Sequence, residues 1–331
     1  MAFNRSVTIR FIRWATPIKE DELEIRFFIE LFRRVTNREV RLEHDSKRKV
    51  DIQIESVYGF TDVPNFTRRL LRFTQSNLPM GINFSNRNLS TNQQPRRGGR
   101  FNIFFTGENE RPPQGMWDAY LSFDLHSYGD RNIYFPLWWV TSSDILIPTI
   151  SPYLGKSLTI EEMSSKRVPN YDDRKKFCVA FIGKAWPLRM HALEALLKIG
   201  NVDVIGKIAR NSQIDRSKSK FEIAQDYKFV FAFENDLFTG YVTEKAPEAW
   251  ATGAVPLYWG SDPEGYLNPK ALINLENFRN LEQFVDHVKQ VNSSKNLWDS
   301  YANQPLLLRK PSVDDAIEKL KRILQPLVSE I

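Results

Sequence analysis

Residues 231–260, FAFENDLFTGYVTEKAPEAWATGAVPLYWG, place a helical segment between two apolar runs. The runs FAF and VPLYW are rich in the aromatic and β-branched residues that strands favour. In the segment TEKAPEAWATG, Thr243 is predicted as the N-cap, Pro247 suits the first turn and Gly253 is placed to end the helix. A strand, a helix and a second strand in this order predict a parallel βαβ unit.

The same alternation extends through the C-terminal half of the chain. The predicted strands are FCVAFIG, VDVIG, FVFAFEN and VPLYWG, and the predicted helices include PLRMHALEALLKIG, SKFEIAQDY and LEQFVDHVKQV. Strands that alternate with helices imply a parallel sheet with helices on both faces. The strands are almost continuously apolar, which is typical of strands buried on both faces. The fold class is therefore predicted to be α/β.

The N-terminal half has a less regular pattern. Its strand-like runs are VTIRFIRW (7–14), VDIQIESV (50–57), FNIFFTGE (101–108) and IYFPLWW (133–139). EDELEIRFFIELFRRV (20–35) and NFTRRLLRF (65–73) are predicted helices, and NLSTNQQPRRGGR (88–100) is a predicted polar loop. A chain of 331 residues is long for one core, so two domains are expected.

Composition limits the classes of function. The chain has 46 Lys and Arg against 40 Asp and Glu, a net charge of +6 and a pI near 9.2, which favours anionic ligands without indicating a nucleic-acid tail. The single cysteine, Cys178, rules out an internal disulfide framework. No apolar run approaches bilayer length, and the first residues lack a signal-peptide core. The sequence has no Asp-x-Asp pair, and its four histidines are scattered, so no metal site is predicted.

Polar residues follow the predicted C-terminal strands. In open parallel sheets, ligands bind beyond the carboxyl ends of the strands. At the carboxyl ends of the predicted strands, FCVAFIG is followed by Arg189 and VDVIG by Lys207, and FVFAFEN ends at Asn235. Arg189 and Lys245 each lie in the first turn of a predicted helix, where a cation is favoured only with an anion beside it. A diphosphate site is one interpretation; the alternative is that Glu244 and Lys245 are solvated first-turn residues.

These residues resemble the signature of glycosyltransferase family 10, the α1,3/4-fucosyltransferases. The matching motifs are FEN (233–235), YVTEK (241–245), VPLYWG (255–260), FFTGENERP (104–112) and VDVIGKIARN (202–211). The resemblance implies the GT-B fold, two Rossmann-like domains that face a cleft. We assign residues 1–155 to an acceptor-binding domain, 156–175 to a linker, 176–310 to a GDP-fucose-binding domain and 311–331 to a C-terminal helix. The lone cysteine favours the bacterial type.

The resemblance implies an inverting transfer of L-fucose from GDP-β-L-fucose to a GlcNAc-containing glycan by single displacement. Glu108 matches the proposed general base, and Glu244 is assigned to offset positive charge on the fucosyl ring. The donor-binding residues are expected to be Arg189, Lys207, Asn235, Tyr241, Glu244 and Lys245. Basic side chains take the place of a metal, so no metal and no cofactor is expected.

Two alternatives and several partner expectations follow. The chain could be a non-catalytic nucleotide- or glycan-binding protein on the same scaffold, or a GT-B transferase for another nucleotide sugar.

We expect no nucleic-acid partner and no integral membrane segment, with peripheral membrane contact allowed. The expected location is cytoplasmic or at the inner membrane face of a bacterium; a Golgi-lumenal location would require an N-terminal anchor removed from this sequence. The motifs do not decide the acceptor or α1,3 against α1,4 linkage.

Overall fold

Two parallel β-sheets organise the chain. The computed structural model describes residues 5–58, 98–113, 115, 117–207 and 217–328. The first sheet has six strands and the second has five, and the strands pair in parallel throughout both. The predicted α/β class is confirmed. The predicted helix at 65–73 and the loop at 88–97 lie outside the described residues.

The first sheet contains the N-terminal strands in the order β2-β1-β3-β4-β5-β6. They are β1 Val7–Ile12, β2 Val40–Leu42, β3 Val50–Glu55, β4 Gly99–Phe105, β5 Ala119–Ser122 and β6 Asn132–Tyr134. Helix α1, Leu23–Thr36, connects β1 to β2 and buries Phe28 and Phe32 against the sheet. Its apolar residues recur at helical spacing, which gives the helix one face for the core.

The run IYFPLWW was predicted as a strand interrupted by Pro136; the structure confirms the strand up to Tyr134, and the prediction is wrong for the residues after it. Strand β6 ends at Tyr134, and helix α2, Leu137–Thr141, begins directly after Pro136. Proline has no N–H to donate to a neighbouring strand, so it interrupts a sheet. At the start of a helix the missing N–H costs nothing, because that N–H would have no partner within the helix. This short helix places the side chains of Trp138 and Trp139 in the core, where both are buried.

The second sheet has the order β11-β10-β9-β7-β8. Its strands are β7 Lys176–Phe181, β8 Val202–Ile205, β9 Tyr227–Phe233, β10 Val255–Trp259 and β11 Ile273–Asn274. The remaining helices are α3 Ile160–Met163, α4 Pro187–Leu197, α5 Lys220–Ala224, α6 Lys245–Ala251, α7 Leu281–Ser293, α8 Lys295–Ala302, α9 Asp314–Ile323 and α10 Gln325–Val328.

The strand order fixes where a ligand can bind. The chain passes from β7 to β8 on one side and then places β9 on the other side of β7. Between β7 and β9 lies a topological switch point, because the connection after β7 leads to β8 whereas the connection after β9 leads the opposite way, to β10. A crevice opens there at the carboxyl ends of β7 and β9. The first sheet has the same arrangement around β1, between β2 and β3.

The C-terminal helix returns to the first sheet. Helix α9 packs against α1 and β6, and Lys319 pairs with Asp130 at 2.7 Å. The predicted linker, 156–175, contains α3 and a 3-10 turn at Tyr171–Asp173. The domain limits remain predictions. Within the described ranges, no helix combines the length and apolarity needed to cross a membrane.

Candidate active site

The crevice at the ends of β7 and β9 collects several of the predicted donor residues. Its lining includes Arg189 from α4, Lys220 from α5, and Lys245 and Glu248 from α6, together with residues of β9. The motif residues follow β9 directly, because this strand ends at Phe233 and α6 begins at Lys245. Three cationic side chains therefore lie at the switch point of the second sheet.

Glu234 is the anchor of the segment that leads into α6. The structure buries Glu234 completely, although a glutamate directly after a strand is usually exposed. Its Oε1 accepts the backbone N–H of Thr243 at 2.8 Å, and the Thr243 hydroxyl lies 2.7 Å from Oε2. Burial raises the pKa of Glu234, and Lys245 and Thr243 oppose that rise. A buried carboxylate is tolerated here because its oxygens are hydrogen-bonded and paired.

The N-cap of α6 differs from the prediction. Glu244 precedes the helix as its N-cap, in a helical conformation and without a capping side-chain bond. Thr243 lies one residue before the N-cap, and its hydroxyl donates to Glu234 and accepts from Lys245 Nζ. The other end agrees with the sequence, since Gly253 follows the helix with φ of +82°, a conformation that glycine adopts readily.

Lys245 is held by three oxygen atoms. Its Nζ lies 3.1 Å from Glu234 Oε2, 2.8 Å from Thr243 Oγ1 and 3.4 Å from Glu244 Oε1. Burial disfavours the ammonium, but Glu234 and Glu244 outweigh burial and raise its pKa. Burial likewise opposes ionisation of Glu244, and Lys245 and Lys220 together hold its pKa below the ordinary value.

Arg189 faces the same crevice from the first turn of α4, as predicted. The helix begins at Pro187, and the buried guanidinium donates from Nε and Nη2 to the carbonyl of Phe233, the last residue of β9. Burial lowers the pKa of Arg189, and Glu234 is the largest opposing influence. The arginine therefore ties α4 to the strand that carries the motif.

Asn235 and Tyr241 join the donor motif to the first sheet. Asn235 Nδ2 lies 3.5 Å from the hydroxyl of Tyr241, at the limit of a hydrogen bond. Tyr241 is buried, and its ring packs edge-on against Phe123, which follows β5. The ring of Phe238 also contacts Phe123. Residues 236–241, hereafter the donor loop, therefore dock on the first sheet.

Glu108 lies on the first-sheet side of this contact. It follows β4 by three residues, is partly exposed, and accepts a hydrogen bond from the hydroxyl of Tyr58 at 2.8 Å. Burial raises the pKa of Tyr241 well above its ordinary value, and Glu234 and Glu108 add to the rise. In the same segment, Arg111 lies over the ring of Phe238 at 5.1 Å. The segment with Glu108 thus faces the donor loop.

One predicted donor residue lies apart, and three relevant residues were not predicted. Lys207 is exposed in the turn after β8 and does not line the crevice, so its donor role remains a prediction. Glu234, Lys220 and Tyr58 were missed. Lys220 had a local signal, because Ser219 and Glu222 form a capping box that fixes the start of its helix, but no local pattern indicates what its side chain contacts.

Potential metal ligands were also sought. Over the part of the chain that the structure describes, no three His, Cys, Asp or Glu side chains come together in a group able to hold a metal ion.

Comparisons with known proteins agree with the motifs. Residues 171–304 match a family model described as glycosyltransferase family 10 (fucosyltransferase), C-terminal. Alpha-(1,3)-fucosyltransferase FucT of Helicobacter pylori is 29% identical over 225 residues, which cover 62% of this chain and 47% of that protein. Putative fucosyltransferase R654 of Acanthamoeba polyphaga mimivirus is 26% identical over 202 residues, which cover 57% of this chain and 33% of that protein. The chain thus spans about half the length of these relatives or less.

Solved structures share the whole fold. An α1,3-fucosyltransferase crystal structure aligns with a TM-score of 0.64 at 22% identity over 98% of this chain and 92% of that one. A complex of α1,3-fucosyltransferase with GDP-fucose aligns with a TM-score of 0.63 at 22% identity over 100% and 93% of the two chains. This likeness confirms the GT-B type of fold.

Proposed function

We propose that the protein is an inverting α1,3(/4)-fucosyltransferase that moves L-fucose from GDP-β-L-fucose to a hydroxyl of a GlcNAc-containing glycan. One observation carries the proposal. Arg189 and Lys245 meet at the switch point of the second sheet, while Glu108 faces the donor loop from the first sheet. A diphosphate site and a carboxylate on opposite sides of one contact suit transfer between two bound substrates.

The donor diphosphate is assigned to Arg189 and Lys245. The bonds of Arg189 to Phe233 use Nε and Nη2, so Nη1 is the nitrogen we assign to a phosphate oxygen. Lys245 makes its longest contact with Glu244, at 3.4 Å, and a phosphate oxygen would replace this contact first. Glu244 would then be released towards the fucosyl ring, where its negative charge offsets the positive charge of the transition state. Cations placed where charge develops on the leaving group lower the barrier.

Glu108 is assigned as the general base. Tyr58 engages Oε1, and we assign Oε2 to the acceptor hydroxyl. In a single displacement, that hydroxyl attacks the anomeric carbon on the face opposite GDP, its proton passes to Glu108, and the bond to the diphosphate breaks. The β-linked fucose becomes α-linked. A base on the first sheet and a leaving group on the second satisfy this opposed geometry.

Relatives support the substrate classes. The name of FUT6 from Homo sapiens, 26% identical over 240 residues, specifies a 4-galactosyl-N-acetylglucosaminide acceptor and an α-L-fucosyl group. We extend that acceptor class to this protein. The absence of any metal requirement and the cytoplasmic or inner-membrane location stay predictions.

The test is a transfer assay with GDP-fucose and N-acetyllactosamine in EDTA, with the product analysed by NMR. We expect an α-linked fucosyl product from the wild type. Glu108→Gln keeps the shape and the acceptor for Tyr58, and should slow transfer by about 10²–10⁴, the usual effect of losing a positioned base, with GDP affinity unchanged.

The alternatives give different results. Near-normal turnover by Glu108→Gln would refute the base assignment. GDP binding without transfer to any of a panel of GlcNAc-containing acceptors would favour the non-catalytic binding protein, and turnover with another nucleotide sugar alone would favour the second transferase. Activity lost in EDTA and restored by manganese would refute metal-independent transfer.

A further inference from the structure

We propose that Lys220 is a third cation of the donor diphosphate site, which Glu248 holds in place until nucleotide binds. The inference rests on the proposed function, because it takes a nucleoside diphosphate as the ligand of this crevice. It adds to Arg189 and Lys245 a residue that lies outside the family motifs.

The backbone position of Lys220 is fixed. It is the first residue of α5, whose start is held by the reciprocal capping box of Ser219 and Glu222. The backbone N–H of Lys220 bonds to the carbonyl of Tyr153 at 3.2 Å. The side chain extends from this point into the crevice lined by Arg189 and Lys245, and it stays 24% exposed. It is thus accessible to a ligand there.

The ammonium of Lys220 already acts on the donor motif. It is one of the two cations that lower the pKa of Glu244. Its direct partner is Glu248, whose Oε2 lies 2.7 Å from Nζ. Glu248 is only 3% exposed, so its carboxylate stays near that spot. An ammonium has three N–H donors, and this bond uses one of them.

The ion pairs of the crevice allow Lys220 to exchange Glu248 for a phosphate oxygen. Among the described residues, Lys245 is paired with two carboxylates and Lys220 with one, so an incoming diphosphate displaces a single ion pair at Lys220. The ammonium of Lys220 also lies 5.1 Å from the ring centroid of Tyr153 and 5.7 Å from that of Phe181. The hydroxyl of Ser151 donates to Glu248 Oε1. Glu248 therefore keeps a hydrogen-bond partner when Lys220 turns towards phosphate, which lowers the cost of the exchange.

The competing explanation is that Lys220 only neutralises the buried Glu248. Titration calorimetry with GDP and with guanosine, which lacks the phosphates, separates the two. We expect Lys220→Met to weaken GDP binding about tenfold, the equivalent of one charge-assisted hydrogen bond, and to leave guanosine binding unchanged. Glu248→Gln keeps its shape but releases the lysine, so it should tighten GDP binding. If Lys220 and Glu248 form a purely structural pair, the two variants should not change GDP affinity in opposite directions.

Controls keep the result decisive. Lys228→Met removes a lysine of β9 that bonds to Tyr171 and the Asn292 carbonyl, outside the crevice, and should bind GDP as the wild type does. Lys220→Arg keeps the charge and should retain GDP affinity. If Lys220→Met does not fold, Glu248→Gln decides alone, because only release of Lys220 towards phosphate predicts tighter GDP binding.

Four outcomes would overturn the inference. Unchanged GDP affinity in Lys220→Met, with a wild type that binds GDP, refutes this role alone. Weaker GDP binding by Glu248→Gln, or equal losses for GDP and guanosine in Lys220→Met, shows that the pair is structural. A wild type that binds neither GDP nor guanosine refutes the proposed function itself, and the role of Lys220 with it.

Discussion

Gly240 brings the backbone of the donor loop against the first-sheet residues Phe123 and Tyr134, and Gly240→Ala should separate them. Its φ is +88°, a conformation that side chains other than glycine rarely adopt. A Cβ at this position would lie 2.3 Å from the carbonyl oxygen of Phe123 and 3.2 Å from the ring of Tyr134. The oxygen belongs to the backbone of the first half of the chain, so it cannot move aside as a flexible side chain would.

The expected loss of folding stability in Gly240→Ala has two parts. An alanine in the left-handed region costs about 1–2 kcal/mol. Forcing an extra carbon into a packed contact costs about 1–3 kcal/mol more. Gly265→Ala is a matched control, because Gly265 has φ of +67° and nothing within 4 Å of its added Cβ, so it carries the first cost alone. We therefore expect Gly240→Ala to be less stable than Gly265→Ala by about 2 kcal/mol.

Calorimetric melting and GDP titration measure the two effects. At about 2–4 °C per kcal/mol, Gly240→Ala should melt about 4–8 °C below Gly265→Ala. GDP affinity should fall in Gly240→Ala and not in Gly265→Ala, because Tyr241 is the next residue and moves with the loop. Equal melting temperatures and equal GDP affinities in the two variants would refute the docking of the donor loop on the first sheet.

Two further predictions concern the first-sheet side of the cleft. Tyr58→Phe removes the O–H donor that holds Oε1 of Glu108 in place, so turnover should fall about tenfold while GDP affinity stays unchanged; turnover equal to that of the wild type would mean that Tyr58 does not position the base. Burial opposes ionisation of Asp124, but hydrogen bonds from Arg111 and Tyr128 lower its pKa below the ordinary value. The ionised Asp124 therefore stabilises the folded protein at a pH above the pKa of the unfolded state. This stabilisation is lost as the pH falls through the pKa of the folded state. Asp124→Asn should therefore cost about 2 kcal/mol at pH 7 and progressively less below pH 4 in urea unfolding; an equal loss at both pH values would contradict the charge argument.

The fold was predictable because its signals are local. Apolar runs of strand length alternate with helical periodicity across the C-terminal half, and residues 176–302 contain the predicted strands and helices in order. The failure at 133–139 has a local cause as well. Tyr134, Phe135, Trp138 and Trp139 have the composition of a strand, and only the position of Pro136 marks the change from strand to helix.

The site was only partly predictable, because its contacts join residues distant in sequence. Arg189 and Lys245 could be assigned from the strand ends and the motifs. The burial of Glu234 could not be predicted, since a glutamate after a strand is usually exposed and its side-chain partners Thr243 and Lys245 come nine and eleven residues later. The partner of Glu108 is 50 residues away in sequence. Periodicity carries no information on such pairs.

The balance of charge in the crevice explains why so many carboxylates surround a proposed phosphate site. Arg189, Lys220 and Lys245 would repel one another if buried alone, and the cost of desolvating them would be large before any ligand arrived. Carboxylates beside the two lysines hold these cations in a fixed arrangement at the switch point.

Those same carboxylates compete with the ligand. A diphosphate must displace Glu244 or Glu248 from a lysine, so part of its interaction energy is spent on that exchange, and its affinity is lower than three free cations would give. In a transferase this is an advantage, because GDP is the product and must leave before the next donor binds. Neutralising a carboxylate that competes for a lysine should therefore tighten GDP binding and slow GDP release, whereas neutralising a lysine should do the reverse.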